Sequence, residues 1–186
     1  MLTQLGILRE IADNEIELML AWRNEPAVRA NMYTQHEISL HEHLAWWERT
    51  RDRADQKYFM YEFAGNAGGI AALTDIDINN KNSTWAFYSS PTAPTGTGSK
   101  MEFLILEHAF NELKLEKLYC EVLAFNTPVI KLHHKFGFIT EGVFRKQYNL
   151  NGTLIDVYRL GILASEWQEL RETIQEKLTR NTRVQK

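Results

Sequence analysis

The stretch Ser89-Ser90-Pro91-Thr92-Ala93-Pro94-Thr95-Gly96-Thr97-Gly98-Ser99-Lys100-Met101-Glu102-Phe103-Leu104-Ile105-Leu106-Glu107-His108-Ala109-Phe110 runs from a strand end, through a glycine turn, into a long apolar helix. Glycine lets a backbone approach a ligand closely, and the first turn of a helix presents unpaired N–H groups to an anion. Strand, glycine turn and helix in that order make residues 94–100 a candidate phosphate cradle. A lone Gly-x-Gly is otherwise an ordinary loop. Two commoner phosphate motifs are excluded. A dinucleotide fingerprint needs a third glycine where Met101 stands, and a P-loop needs four residues between glycines that here are separated only by Thr97. Beyond the helix, Leu118–Phe125 reads as a strand, and Asn126-Thr127-Pro128 opens a short helix ending at Phe136-Gly137-Phe138.

Together these residues resemble the GCN5-related N-acetyltransferase (GNAT) family. Its pyrophosphate turn, Gln/Arg-x-x-Gly-x-Gly/Ala, is matched by Ala93-Pro94-Thr95-Gly96-Thr97-Gly98, with Ala93 in place of the first polar residue. Its later segment, Asn-x-x-Ala-x-x-Leu-Tyr-x-x-x-Gly-Phe, is matched by Asn126 through Phe138, with His133 where the family has tyrosine. The resemblance implies an α/β (α+β) fold: a single domain with a mixed, mostly antiparallel central sheet flanked by helices. It also implies acetyl-CoA as co-substrate and direct attack of an amine on its thioester.

Composition is compatible. A chain of 186 residues suits one domain with a sizeable core. A net charge of −3 implies no general affinity for nucleic acid or an anionic membrane, so a polyanionic ligand needs local donors. Cys120, the single cysteine, cannot form an internal disulfide and reads as a core residue. No signal-peptide pattern or membrane-length apolar run is present, so the expected setting is the cytoplasm. Histidines 36, 41 and 43 lack zinc spacing, and no metal is expected.

In chain order we expect a strand at Gly6–Ile11, a helix at Asn14–Asn24 capped by Asp13, and a short turn of helix from Pro26. Ser39 should cap a helix at Leu40–Arg51. A three-strand meander follows: Lys57–Phe63, a turn at Gly65-Asn66, Gly69–Ile78, a turn over 79–82, and Ser83–Ser89. Helix Ser99–Leu113 has one wet stripe, Lys100, Glu107, Asn111 and Lys114, and should set a parallel crossover into Leu118–Phe125. Phe144–Leu150 and Thr153–Ile162 flank the hairpin signal Asn151-Gly152. The expected division is an acetyltransferase domain over 1–163 and, over 164–186, an extra C-terminal helix (Ser165–Leu178) with a frayed polar tail.

The N-terminal half carries a second resemblance. Arg23-Asn24-x-Pro26, Met32-Tyr33 and Ile38-Ser39-Leu40-x-x-His43-Leu44 are similar to the family branch that acetylates the 4-amino group of a UDP-4-amino-4,6-dideoxy-N-acetyl hexose in bacterial pseudaminic acid biosynthesis, which supplies flagellin glycosylation. The ribosomal-protein N-terminal acetyltransferases share a looser version of the start. A non-catalytic acyl-CoA-binding module is a third possibility. A nucleotide sugar is the expected partner, with pairing into a homodimer left open.

The resemblance distributes roles. Thr95, Gly96, Thr97, Gly98, Ser99 and Lys100 would hold the pyrophosphate. Phe87, Tyr88 and Ser89 would pair with the pantetheine arm, or simply complete a ladder. Asn126 can cap its helix or bind the arm. Lys131 and Lys135, four apart on one helical face, can meet CoA phosphates or water. His133 is the candidate general acid, the alternative being protonation of the thiolate by water. Glu121, mid-strand, is a candidate base or a salt-bridge partner. Arg23, Asn24, Met32, Tyr33, His43, Trp46 and Trp47 form the expected substrate wall, joined by Thr74, Asp75, Asp77 and Trp85; packing is the plain alternative for each. Trp46 and Trp47 are neighbours on a helix, so one of them is free to stack on a ring.

Overall fold

The computed structural model describes residues 2–184. Its elements are β1 (Ile7–Arg9), α1 (Ile16–Asn24), α2 (Pro26–Arg29), α3 (Leu40–Thr50), β2 (Lys57–Phe63), β3 (Asn66–Asp77), β4 (Asn82–Ser89), α4 (Thr97–Glu107), β5 (Lys117–Leu123), α5 (Thr127–Lys135), β6 (Ile139–Leu150), β7 (Thr153–Leu163) and α6 (Ala164–Val184). The strands form one seven-stranded sheet in the order β1-β2-β3-β4-β5-β7-β6. Every pairing is antiparallel except β4 with β5. The meander, the parallel crossover and the Asn151-Gly152 hairpin are as expected.

Both faces of the central strands are covered, which explains their apolar runs. On one face Tyr61, Ala71, Leu73, Met101, Phe103, Ile105 and Trp167 join one core, bringing α4 and α6 under the sheet. On the other, Met60 and Ile70 meet Ile16, Met19, Trp22 and Trp47 from α1 and α3. Adjacent pairs such as Met60/Tyr61 and Ile70/Ala71 thus serve opposite layers, as the two-residue period of a strand requires.

Several local expectations are corrected. Asp13 does not cap a helix; Asp13–Glu15 is a 3-10 turn, and Arg9 draws Glu15 in with two hydrogen bonds of 2.7 Å. Ser39 does cap α3, its hydroxyl accepting from the Glu42 N–H at 3.2 Å. The β2–β3 turn is Ala64-Gly65, one residue earlier than expected, with φ of 50° and 79° as a type I′ hairpin needs. The helix expected over 99–113 is α4 followed by a π-helical turn, His108–Glu112, in which Leu113 N–H reaches His108 O at 3.0 Å.

Glu107 does not lie on a wet stripe. It is buried under α6, accepting from Trp167 Nε1 at 3.0 Å and from two nitrogens of Arg171 at 2.7 Å each. That cluster fixes α6 to α4. α6, which has no glycine or proline, continues to Val184, and the end of the expected tail, residues 185–186, lies outside the described residues. No helix among the described residues is long and apolar enough to cross a membrane.

Candidate active site

Strands β4 and β5 pair only at Asn82–Thr84 against Lys117–Tyr119. Beyond that point β4 stays with β3 as far as Ser89, and β5 stays with β7 as far as Leu123. Each strand follows its outer neighbour, so the two part. The facing backbone edges of residues 85–89 and 120–123 have no strand partner. A cavity of about 360 Å³ fills the opening, bordered by Trp85–Pro91 on one side and by Cys120, Glu121, Val122, Asn126 and Val129 on the other. Polar backbone with no partner calls for a ligand that supplies its own amides.

The glycine turn lies against Phe87, which borders this gap. Gly96 has φ of 91°, a left-handed conformation that suits glycine, and caps α4. Thr97 N–H and Oγ1 both go to Pro94 O, at 3.1 and 2.8 Å, and Lys100 N–H goes to Gly96 O at 3.2 Å. The N–H groups of Gly98 and Ser99 lie in the first turn and have no acceptor inside the helix. A Cβ on Gly98 would lie 3.2 Å from the Phe87 ring and 3.6 Å from Leu132, so its bare backbone keeps this approach open. Two orphan donors on a helix N-terminus fit a pyrophosphate.

At the floor of the gap His133 (α5) and Glu102 (α4) form a buried pair, Nδ1 to Oε1 2.8 Å, with side-chain exposures of 3% and 0%. The imidazole lies among Trp85, Phe87 and Phe138, with ring centroids 5.2, 6.2 and 5.2 Å away. Burial pushes the Glu102 carboxyl above its usual range, and the histidine partly opposes this. Cys120 also borders the gap; burial pushes its thiol well up, so it carries little thiolate.

A second cavity, about 470 Å³, shares Met32 and Ala86–Tyr88 with the gap. Arg23, Arg49, His43, Trp46, Tyr58 and Thr74 contribute to its lining, and Glu42 is the one carboxylate there among the described residues. Arg23 gives Nη2 to Thr34 O at 3.1 Å, while its buried Nη1 has no partner among the described residues. Burial lowers the pKa of this guanidinium. Arginine nevertheless stays charged at neutral pH, so Nη1 is a desolvated donor awaiting an acceptor. Burial also pushes the Tyr58 phenol up to about 12, so it remains neutral.

Tyr33, expected in the substrate wall, lines neither cavity; it crosses to β5 and donates to Glu121 Oε2 at 3.0 Å. Its ring meets Tyr148 edge-on at 5.4 Å, and Tyr148 OH donates back to Tyr33 O at 2.9 Å. Arg159 Nη1 lies 3.6 Å from the other Glu121 oxygen. The Tyr33 loop is thereby strapped across the sheet to β5 and β6.

Comparison with known proteins accounts for this architecture. The model of the acetyltransferase (GNAT) domain matches residues 8–158. The chain belongs to the GNAT family. It is thus an acyltransferase that moves an acetyl group from acetyl-CoA to an amine. Relatives include the SPbeta prophage-derived uncharacterized N-acetyltransferase YokL of Bacillus subtilis, 29% identical over 66% of this chain and 70% of the relative. Acetyltransferase PseH of Campylobacter jejuni is 28% identical over 69% of this chain and 80% of that protein. Among solved structures, spermidine N-acetyltransferase from Vibrio cholerae in complex with CoA and spermine superposes with a TM-score of 0.81 at 22% identity, covering 87% of this chain and 96% of that one.

Not every residue expected at the site of this acetyltransferase is there. Trp46 lines the second cavity, but Trp47 is 8% exposed in the core of α1 and α3 and lines neither of the two cavities. Asn24 is a loop clamp, giving Nδ2 to Ile38 O at 2.8 Å and accepting from Ile38 N–H at 2.9 Å. Trp85 borders the gap and not the second cavity, stacked on Phe87 at 5.2 Å. Asp75 faces solvent at a β3 bulge with φ of 51°, and Asp77 holds Asn80 in the following turn at 2.8 and 2.7 Å. His43 stays in the cavity wall, stacked on Trp46 at 5.2 Å. Lys100 rests its ammonium 3.8 Å over the Phe63 ring, and Lys131 and Lys135 are exposed. Asn126 makes no side-chain cap and is left facing the gap. Among the described residues no group of three His, Cys, Asp or Glu could hold a metal ion.

Sequence reading missed Glu102, Tyr58, Arg49 and Tyr148. Glu102 did carry a signal. It falls about 200° around the helix from Lys100, at 3.6 residues per turn, and so on the side opposite the polar stripe. A carboxylate there must find a buried partner.

Proposed function

We propose that this acetyltransferase acetylates the 4-amino group of a UDP-4-amino-4,6-dideoxy-N-acetyl hexose, a step toward a nonulosonic acid such as pseudaminic acid, in the cytoplasm. The observation that carries this reading is the unpartnered Nη1 of Arg23 in a cavity with a single carboxylate. A buried guanidinium donor suits a phosphate oxygen of UDP. Trp46 and Tyr58, with ring centroids 5.0 Å apart, offer faces and edges for uracil or for the apolar methyl side of the sugar. PseH among the relatives supports the same class.

In this reading the pantetheine arm lies between the parted strands, its amides meeting their free backbone edges, with the pyrophosphate on Gly98 and Ser99. The amine enters from the acceptor cavity past Met32 and Tyr88. Its lone pair forms the C–N bond, the C–S pair leaves with sulfur, Glu121 or a water takes the surplus amine proton, and His133 protonates the thiolate. His133→Phe should then lower kcat with little change in KM for acetyl-CoA.

Two other acceptors fit less well. A polyamine needs several carboxylates, and Glu42 stands there against Arg23 and Arg49. A protein N-terminus needs an open groove, whereas the Tyr33–Tyr148 contacts close the space between the 32–40 loop and the β6–β7 hairpin. An acetyl-CoA consumption assay on UDP-4-amino sugars, N-terminal peptides and spermidine tests the assignment. Turnover of the UDP-sugar is expected; turnover of peptide or spermidine alone overturns it.

A further inference from the structure

We infer that Glu102 is a positioning residue for catalysis: it holds His133 with a hydrogen on Nε2, the nitrogen available to the thiolate. The inference rests on the acid role of His133 proposed above. Nδ1 is taken by Glu102 at 2.8 Å, which leaves Nε2 for the gap that His133 borders. A histidine free to choose its tautomer would present a bare Nε2 part of the time.

Proton counting shows what the carboxyl adds. With two protons on the pair, either Glu102 is ionised beside an imidazolium or a neutral carboxyl donates to Nδ1 of a neutral ring. In both distributions Nε2 carries a hydrogen. Transfer of that hydrogen to sulfur leaves one proton, which sits between Nδ1 and the carboxylate. The acid form is thus set by the pair and not by histidine alone. Burial favours keeping the second proton, since it raises the Glu102 carboxyl. Glu102 Oε2, enclosed and without a partner among the described residues, is tolerable as a carbonyl oxygen but costly as half of an anion. The surroundings add little charge. Trp85 and Phe87 come from β4, Phe138 precedes β6, and the Cys120 thiol on β5 is held neutral, while Glu121, the one other carboxylate on β5 beside the gap, is exposed and tied to Tyr33 and Arg159.

Glu102→Gln keeps the shape and removes the second proton's home. We expect kcat to fall about 10- to 100-fold, within the range of a lost proton donor, with KM for acetyl-CoA changed less than about twofold. The alkaline limb of the kcat profile should change, because the coupled two-proton pair is replaced by a lone imidazole. In a His133→Phe background the same substitution should leave kcat unaltered. Unchanged kcat and pH profile in the Gln variant, or an equal loss in the His133→Phe background, overturns the inference and leaves Glu102 a packing residue. An unaffected kcat in His133→Phe alone removes the acid role itself, a separable failure. Long-range 1H–15N spectra of the ligand-free protein read the tautomer without any assay: a hydrogen on Nε2 is expected at neutral pH, and a hydrogen on Nδ1 alone contradicts the pair as described.

Discussion

The inter-strand gap and the acceptor cavity share a wall but are built by opposite means. The gap is made of backbone: strand edges left single where β4 and β5 part, and the first N–H groups of α4. The cavity is made of side chains on α1, α3 and the central strands, chiefly Arg23, Arg49, Trp46 and Tyr58. Backbone donors are offered by almost any sequence that folds this way, so a gap of this kind recognises one cofactor across many relatives. A side-chain cavity changes with each substitution, so it is where acceptors are told apart. This explains how chains only 28% and 22% identical to this one can keep the same fold while the side chains that line such a cavity change.

The contrast can be broken most severely at Gly98. Gly98→Trp puts an indole where a Cβ already meets Phe87 at 3.2 Å. Calorimetry should show acetyl-CoA affinity falling at least about a thousandfold, roughly 4 kcal/mol, with the circular dichroism spectrum retained. Binding within tenfold of the parent would place the cofactor elsewhere. Next in size is Arg23→Ala, which should raise KM for a UDP-sugar acceptor about 30- to 100-fold, about 2–3 kcal/mol for a hydrogen bond to a charged group. KM for acetyl-CoA should hold steady; a parallel rise in both constants would mean the two compartments are not separate.

Smaller effects sharpen the boundary between them. Tyr33→Phe removes the 3.0 Å hydrogen bond to Glu121 and leaves the ring against Tyr148. Acceptor kcat/KM should drop about fivefold, near 1 kcal/mol; no change would show the strap to be dispensable. The least effect is expected at Cys120. Its thiol is buried and pushed well above its ordinary pKa, so direct attack by the amine needs nothing from it. Cys120→Ala should keep kcat within about threefold, and a loss beyond a hundredfold, about 2.7 kcal/mol, would indicate an acyl-enzyme.

The same division explains what could be read in advance. The gap was legible because its determinants are local: Gly96 and Gly98 before an apolar helix, Asn126 and Pro128 after a strand. The cavity was legible only in part, because its determinants are tertiary. Helical phase announced that one of Trp46 and Trp47 was free, but not which, since that depends on α1 lying beside α3. Asn24 looked like a ligand group because nothing in the chain shows that Ile38 would occupy both ends of its amide. Glu107 read as solvated because α6, which buries it, lies 57 or more residues downstream. Tyr148 meets Tyr33 from a strand whose register against β7 shifts between Phe144 and Tyr148, a break that strand alternation does not announce.

The most direct measurement of the central proposal, that the second cavity takes a nucleoside diphosphate, is calorimetric titration of UDP and of spermidine into protein saturated with CoA, for the parent and for Arg23→Ala. UDP should bind the parent with a dissociation constant below about 1 mM, some 4 kcal/mol, and lose that binding in Arg23→Ala, while spermidine binds neither. Spermidine binding with UDP silent at millimolar concentration, or UDP binding indifferent to Arg23, would contradict the account.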